Sequence, residues 1–148
     1  MVTLEAILER NNLNRAYKQV KANRGGPGVD GMTVDEFLDY LRAHAVEIVE
    51  TVKAGKYKPQ PVRRVMIPKE EKGKFRPLGI PTAVDRVIQQ AIAQKLSDEY
   101  EPVFSLHSHG FRPCRSCRTA IDEALDIANQ GYVWVVDLDL SKDRKSTR

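Results

Sequence analysis

The chain has 148 residues, of which 41% are hydrophobic and 30% are charged, a composition that fits one folded domain with a real core. It has no apolar run of about 18 residues, which excludes a membrane-spanning helix, and its first residues do not resemble a secretory signal, so we expect a cytoplasmic protein. Its net charge is +4, of which residues 141–148 supply +3, so the basic character is local rather than global.

The first third of the chain has the pattern of two helices separated by a glycine-rich loop. Apolar residues at helical spacing predict a helix over residues 4–20, with a break at 11–12. Residues 23–31 contain four glycines and one proline, which predicts a loop. Thr33 and Glu36 then form a capping-box pattern, which predicts the start of a second helix.

The period changes to that of a β-hairpin at residue 62. Apolar and basic residues alternate imperfectly over 62–67, and Pro68 and Gly73 flank a short charged tip before a second strand over 75–80. This region is strongly basic. Between residues 56 and 76, two acids face eight bases, namely Lys56, Lys58, Arg63, Arg64, Lys69, Lys72, Lys74 and Arg76. Such a local excess of positive charge favours a polyanion or a triphosphate as ligand.

The second half of the chain begins with a predicted helix capped by Thr82 and ended by Pro102. An irregular stretch follows, and Ser116 is the predicted cap of another helix. Residues 132–140 are rich in β-branched and aromatic side chains and predict a strand. The order of helices, hairpin, helices and strand predicts an α+β fold.

Four segments of the sequence resemble reverse transcriptases of the bacterial group II intron type, in the order of that family. They are VKANRGGPGVDGMTVDEF, VRRVMIPKEEKGKFRPLGIPTAVDRVIQQ, HGFRPCRSCRTAI and YVWVVDLDLSK. The resemblance implies polymerase fingers over 1–131, with an N-terminal extension over 1–54. Residues 132–142 would form the first strand of an incomplete palm, and the tail 143–148 departs from the family.

The resemblance also implies roles for the basic hairpin. Lys69 and Arg76 would hold the triphosphate of the incoming deoxynucleotide (dNTP), and from the residues alone a hairpin could bring these two cations to one anion. Phe111 and Arg112 would lie near the same nucleotide. Template RNA would contact the remaining hairpin cations, namely Arg63, Arg64, Lys72 and Lys74. The alternative is a solvated edge strand that is charged only to prevent edge-to-edge pairing.

The predicted strand carries the candidate catalytic acid. Asp137 and Asp139 are two residues apart, so their side chains would share one face. By resemblance Asp139 would be the catalytic carboxylate that binds Mg²⁺, and Leu140 would offer its backbone carbonyl to a second ion. The alternative is a strand end whose acids face water. The sequence has no Tyr-x-Asp-Asp motif, so we expect the chain alone to lack polymerase activity.

The parent function implied is RNA-directed DNA synthesis, with template or intron RNA, a DNA primer and dNTP as partners, no membrane partner, and a possible homodimer. A non-enzymatic RNA-binding or interaction module is the competing function. A weaker alternative is a zinc module, because two histidines and two cysteines lie within 107–117. The glycine-rich loop is equally open to two interpretations: a plain turn between helices or, as the resemblance implies, a contact with template RNA or with a neighbouring protein molecule.

Overall fold

The computed structural model describes residues 1–70 and 72–139, which divide between two compact units, one up to residue 102 and one from residue 103 onward. Within the described residues, the first unit holds four α-helices and a β-hairpin, and the second holds one α-helix. None of the helices in the described residues is both long and apolar enough to cross a membrane.

The first unit begins with a helix pair. Helix α1 spans Leu4–Ile7, and helix α2 spans Arg10–Ala22. Helix α2 turns Ala16 and Val20, which are four residues apart and therefore on one face, into the core. The predicted N-terminal helix is thus present, but its break falls between α1 and α2 rather than at 11–12.

Helix α3 spans Phe37–Lys53 and follows the predicted capping box. Thr33 Oγ1 accepts a hydrogen bond of 3.4 Å from Glu36 N–H, and the Glu36 carboxylate accepts one of 3.0 Å from Thr33 N–H. The Thr33 hydroxyl also donates to the Glu36 carboxylate, at 2.8 Å. The hydrogen bonds from the Thr33 N–H and the Thr33 hydroxyl lower the pKa of Glu36, the one from the backbone N–H contributing most. Phe37 at the start of the helix is almost completely buried, and its ring lies 6.0 Å from that of Tyr17.

The hairpin consists of strand β1, Arg63–Pro68, and strand β2, Phe75–Ile80, paired antiparallel in the predicted place. Gly73 in the connecting turn has a φ of +79°, a conformation that glycine adopts without the steric cost of a Cβ.

Helix α4 spans Ala83–Tyr100 and packs against α2 to form the core of the first unit. Thr82 caps it as predicted, since Thr82 Oγ1 accepts from Asp85 N–H at 3.3 Å. The buried apolar residues of this core are Ala16, Val20, Phe37, Ala83, Val87 and Ala91. Because half of them are alanines, the two helices can approach closely.

A buried polar pair fixes the register between α2 and α4. The Asn12 side-chain amide donates to the Ala91 carbonyl at 3.0 Å, and the Gln94 amide donates to Asn12 Oδ1 at 2.8 Å. Asn12 also donates to the Ile7 carbonyl at 2.8 Å, which ties α1 to the same point. Buried polar groups are tolerated when they are hydrogen-bonded in this way, and a shifted helix would leave them unpaired.

The second unit contains helix α5, which spans Cys117–Asn129. Ser116 caps it as predicted, with Ser116 Oγ accepting from Thr119 N–H at 3.3 Å and Thr119 Oγ1 accepting from Ser116 N–H at 3.0 Å. Gly131 follows the helix with a φ of +96°. A 3₁₀ turn at Glu101–Val103 precedes the irregular segment before α5.

The predicted α+β class is confirmed. The predicted palm strand is not observed over residues 132–139, which have neither helical nor strand structure. Their β-prone side chains are largely exposed, with Trp134 at 94%. A strand is defined by hydrogen bonds to a neighbouring strand, and among the described residues none pairs with this segment. Intrinsic preference alone therefore does not produce the strand here.

Candidate nucleic-acid interface

The register of the hairpin sorts its cations onto two faces. Arg76 pairs with Ile67, and cross-strand partners project to the same side of a sheet. The Lys69 N–H donates to the Lys74 carbonyl at 2.8 Å, which continues the pairing beyond β1. Because side chains alternate along a strand, Lys69 shares the Ile67 face, and therefore the Arg76 face. Arg64 lies on the opposite face.

The predicted cations of the hairpin are all exposed, namely Arg63, Arg64, Lys69, Lys72, Lys74 and Arg76. Exposed like charges repel one another and cost free energy unless an anion compensates them. Arg63 also reaches the glycine-rich loop, since its Nη2 lies 3.6 Å from the position that a Cβ on Gly26 would occupy. The basic hairpin and this loop are therefore neighbours in the first unit.

The buried carboxylate of Asp85 anchors the chain that leads into the hairpin. Its oxygens accept hydrogen bonds from Tyr57 Oη at 2.7 Å, from Gln60 N–H at 3.2 Å and from Thr82 Oγ1 at 2.7 Å. Burial raises the pKa of the Tyr57 hydroxyl, and the hydrogen bond to Asp85 raises it further, so the phenol stays protonated and remains a donor. This one carboxylate holds the hairpin to the first turn of α4.

The glycine-rich loop 23–31 packs its backbone directly on the start of α4. A Cβ placed on Gly28 would lie 2.7 Å from Thr82 Cα and 2.9 Å from Thr82 N, which is closer than atoms can approach. Arg24 in the same loop adopts a φ of +46°, which is uncommon for a residue with a side chain. The loop is thus a fitted element rather than a loose connection, although this packing does not decide between its two interpretations.

Arg86 lies behind the same loop on α4. A Cβ on Gly25 would lie 2.3 Å from Arg86 Nη1, so the loop backbone closes over the guanidinium. Arg86 lines a cavity of about 250 Å³ between the end of α2 and the start of α4, together with Val20, Asn23, Gln89, Gln90 and Ala93.

The two predicted nucleotide contacts of the second unit behave differently. Phe111 is fully exposed and has a φ of +58°. Arg112 donates from Nη1 to the carbonyls of Ser105, at 2.6 Å, and Ser108, at 2.9 Å. Its guanidinium also lies 5.3 Å from the centre of the Phe104 ring. Arg112 therefore holds the irregular segment together, whereas Phe111 is open to a ligand.

Two histidines of this unit share one carboxylate. Glu123 on α5 is hydrogen-bonded to His107 Nδ1 and, at 2.6 Å, to His109 Nε2. These contacts lower the pKa of Glu123, the His107 hydrogen bond contributing most. The zinc alternative is not supported, because the described residues contain no group of three His, Cys, Asp or Glu side chains that could hold a metal ion. Both thiols, Cys114 and Cys117, are exposed and unbonded.

Asp137 and Asp139 lie in the irregular, exposed segment that follows α5. Leu140, the predicted backbone ligand, lies outside the described residues. With two exposed aspartates and no third ligand nearby among the described residues, the chain as seen does not fit a complete Mg²⁺ site.

Sequence reasoning missed both Arg86 and the anchoring role of Asp85. A signal for Arg86 was present, because it lies three residues after Ala83 and four before Gln90, at the border of the buried stripe of α4. No sequence pattern pointed to Tyr57 as the partner of Asp85, since the two are 28 positions apart.

Comparison with known proteins identifies related sequences over most of the chain. The family described as Reverse transcriptase (RNA-dependent DNA polymerase) matches residues 67–143, just over half of the chain. The group II intron-encoded protein LtrA of Lactococcus lactis subsp. cremoris is 41% identical over 125 residues, covering 84% of this chain and 20% of that protein. Protein YkfC of Escherichia coli (strain K12) is 39% identical over 144 residues, covering 93% of this chain and 38% of that protein.

A protein in the cob intron of Schizosaccharomyces pombe is 32% identical over 141 residues, covering 90% of this chain and 16% of that protein. The chain therefore spans well under half the length of each of these relatives. The match to the reverse transcriptase family covers β2, α4 and α5, and the matches to intron-encoded proteins extend over most of the chain. On these matches, the chain belongs to the group II intron reverse transcriptase/maturase family.

Proposed function

We propose that this chain forms the fingers, residues 1–131, and the first palm segment, residues 132–142, of an RNA-directed DNA polymerase. The basic hairpin would bind the triphosphate of the incoming dNTP through Lys69 and Arg76. The observation that carries the proposal is the register of the hairpin, which places these two cations on one face.

The physical argument starts from the charge of the triphosphate. Nucleotidyl transfer needs a triphosphate that is held still and partly neutralised. Diagonal neighbours on one face of a hairpin lie about 7–8 Å apart at Cα, within reach of two long side chains. Lys69 and Arg76 stand in this relation, so both can contact one triphosphate.

The remaining cations of the hairpin would contact template or intron RNA. Arg63 faces the glycine-rich loop, Arg64 lies on the opposite face, and Lys72 and Lys74 surround the tip. Phosphate contacts of this kind position a strand without reading its sequence. The DNA primer and a second copy of the chain would be further partners, and neither has a defined contact among the described residues.

Asp139 would be the first carboxylate of the catalytic centre. An exposed carboxylate suits Mg²⁺, which in phosphoryl transfer polarises the phosphate and stabilises the leaving oxygen. In the described part of the palm segment, residues 132–139, the carboxylates are Asp137 and Asp139, so no catalytic step is assigned to them. Because the sequence contains no Tyr-x-Asp-Asp motif, we expect no primer extension by this chain alone.

Titration of a fluorescent dNTP in the presence of Mg²⁺ tests the triphosphate site. Lys69→Ala and Arg76→Ala should each weaken binding about tenfold, the value of one charge-assisted contact. Arg64→Ala is the matched control, because it removes the same charge from the other face of the same hairpin. Equal losses in all three variants would mean general attraction by a charged edge strand and would contradict the proposal.

Binding of an RNA oligonucleotide at several salt concentrations tests the RNA contacts. The logarithm of the binding constant should fall linearly with the logarithm of the salt concentration, by roughly 0.7 per phosphate contact on a single strand. A flat salt dependence would count against phosphate contacts. The same samples address the competing function, since RNA binding without any dNTP binding that depends on Lys69 and Arg76 would favour a non-enzymatic module.

A further inference from the structure

One buried carboxylate, that of Asp85, holds both ends of the basic hairpin. Asp85 is 3% exposed and accepts from Tyr57 Oη and Gln60 N–H on the segment that enters β1. It also accepts from Thr82 Oγ1 on the segment that leaves β2. Gln60 lies three residues before the start of β1, and Thr82 lies two residues after the end of β2. The direction in which the hairpin leaves the core is therefore set at this carboxylate.

The two ends of the hairpin are held unequally. The leaving end passes directly into α4, and Thr82 also packs tightly on Gly28 of the glycine-rich loop. On the entering side, Tyr57 is the one residue of the range 53–66 that is not exposed. The prolines on both sides of Gln60 have no N–H to donate, so they cannot add backbone hydrogen bonds there. The Tyr57 hydroxyl is thus the main side-chain tie of the entering end to α4.

The hairpin acts as a lever on this tie. Lys69 lies six residues beyond the start of β1, which places the tip about 20 Å from the base of the hairpin. A tilt of about 5° at the base would move the tip by about 2 Å, enough to break a charge-assisted hydrogen bond. Arg76 lies closer to the base, four residues before the end of β2, and moves less. A tilted hairpin would therefore lose a contact made by Lys69 first.

We propose that Tyr57 and Asp85 are positioning residues for binding of the incoming dNTP. Their hydrogen bond sets the direction of the hairpin and so the place at which Lys69 meets the triphosphate. The proposal rests on the proposed function for the identity of the ligand. It does not require either residue to touch the triphosphate. A chain without this bond populates other directions of the hairpin, and its dNTP affinity falls with the fraction that can bind.

A distance measurement tests the direction of the hairpin without any ligand. Spin labels on Glu70→Cys, near the tip, and Asp98→Cys, on α4, report this direction by double electron–electron resonance. Cys114→Ser and Cys117→Ser remove the two native thiols from the labelled chain. Tyr57→Phe should broaden the distribution of distances between the labels, because the ring remains and only the hydroxyl tie is lost.

Titration of a fluorescent dNTP in the presence of Mg²⁺ tests the consequence for binding. Tyr57→Phe should weaken dNTP binding by roughly fivefold, the most that loss of one ordinary hydrogen bond can shift such an equilibrium. Gln94→Ala is the matched structural control, since it removes two buried hydrogen bonds to Asn12 and leaves those of Asp85 in place. At a temperature where it is folded by circular dichroism, this control should change neither the distances nor the dNTP affinity.

A double-mutant cycle asks whether Tyr57 acts through the tip of the hairpin. If a tilted hairpin loses the Lys69 contact first, a chain that already lacks this contact has little more to lose. Tyr57→Phe should therefore weaken dNTP binding by less than about twofold in the Lys69→Ala background. A general loss of stability would act independently of Lys69, and the two losses would then multiply, which would overturn the positioning role.

The outcomes separate this inference from the function proposed above. If Tyr57→Phe changes neither the distances nor the dNTP affinity, while Lys69→Ala and Arg76→Ala still weaken binding, the inference is wrong and the proposed function stands. If Tyr57→Phe broadens the distances but none of these variants changes dNTP binding, the proposed function fails, and the positioning role fails with it. If Gln94→Ala weakens binding as much as Tyr57→Phe, or if Tyr57→Phe unfolds the chain, the hydroxyl is merely structural and the inference is overturned.

Discussion

Asp85 Oδ1 accepts a hydrogen bond of 2.7 Å from Tyr57 Oη, which joins the segment before the hairpin to the first turn of α4 across 28 positions of sequence. The same carboxylate accepts from Gln60 N–H and from Thr82 Oγ1. Three donors from two parts of the chain, the segment before the hairpin and the cap of α4, therefore converge on one buried acid, and the position of the basic hairpin depends on it.

Removing this acid should destabilise the first unit strongly. Asp85→Ala leaves the donors of Tyr57, Gln60 and Thr82 without their acceptor, and we expect the free energy of unfolding to fall by about 3 kcal/mol. Tyr57→Phe removes only one of the three hydrogen bonds and should cost about 1 kcal/mol. Urea denaturation followed by circular dichroism measures both values.

The exposed Asp98 on the same helix provides the control, and Asp98→Ala should change the free energy of unfolding by less than about 0.5 kcal/mol. If Asp85→Ala were no worse than this control, the carboxylate would not be the anchor of the hairpin.

The elements that sequence reasoning found correctly are those specified by neighbouring residues. The caps at Thr82 and Ser116 depend on a side chain three positions away, and the hairpin depends on alternation and on Gly73. Local hydrogen bonding and backbone preference decide such features, so a single sequence contains enough information to place them.

What sequence reasoning missed depends on distant residues. The anchor at Asp85 needs Tyr57, and the cavity at Arg86 needs the end of α2, so neither follows from spacing along the chain. The strand expected over 132–140 is an error of another kind, because the sequence predicts it and the described residues 132–139 do not form it. Its residues have strong β preference, but a strand also needs a hydrogen-bonded neighbour, which no local pattern can guarantee.

Replacement of Cys114 by glycine should stabilise the second unit. The φ of +58° at Cys114 lies in the left-handed region, where a Cβ costs about 1 kcal/mol and glycine does not. Cys114→Gly should therefore raise the free energy of unfolding of the second unit by up to about 1 kcal/mol, less the entropy that glycine adds to the unfolded chain.

The same substitution at Cys117 is the matched control for Cys114. Cys117 is the first residue of α5, where glycine weakens a helix by up to about 1 kcal/mol. Thermal unfolding of the two variants should therefore show shifts of opposite sign. A loss of stability in both would mean that the turn at Cys114 does not need the left-handed conformation.

Lowering the pH should destabilise the segment before α5. Hydrogen bonds from His107 and His109 lower the pKa of Glu123 below its ordinary value of 4.5, so the folded state favours the carboxylate. The stability that Glu123 contributes is present above pH 4.5 and is lost as the pH falls from there through the lowered folded pKa. Amide hydrogen exchange of residues 104–116 between pH 7 and pH 3 measures this loss, with rates corrected for the intrinsic effect of pH on exchange.

Glu123→Gln should remove that pH dependence, because the amide has no proton to gain in this range. Asp126→Asn, which changes an exposed acid on the same helix, should leave it in place. Retention of the full acid response in Glu123→Gln would assign the loosening to another group.

Gly28 should tolerate no side chain, whereas Gly26 two residues earlier should accept one. A Cβ on Gly28 would lie 2.7 Å from Thr82 Cα, a backbone atom that cannot move aside without shifting the start of α4. Gly28→Ala should therefore lower the free energy of unfolding by about 1–3 kcal/mol, the usual cost of overpacking. A Cβ on Gly26 would have Arg63 Nη2 as its nearest neighbour, at 3.6 Å, which is an ordinary contact. Gly26→Ala should change the free energy of unfolding by less than about 1 kcal/mol. Urea denaturation of the two variants measures the difference, and equal effects would mean that the loop does not rest on α4.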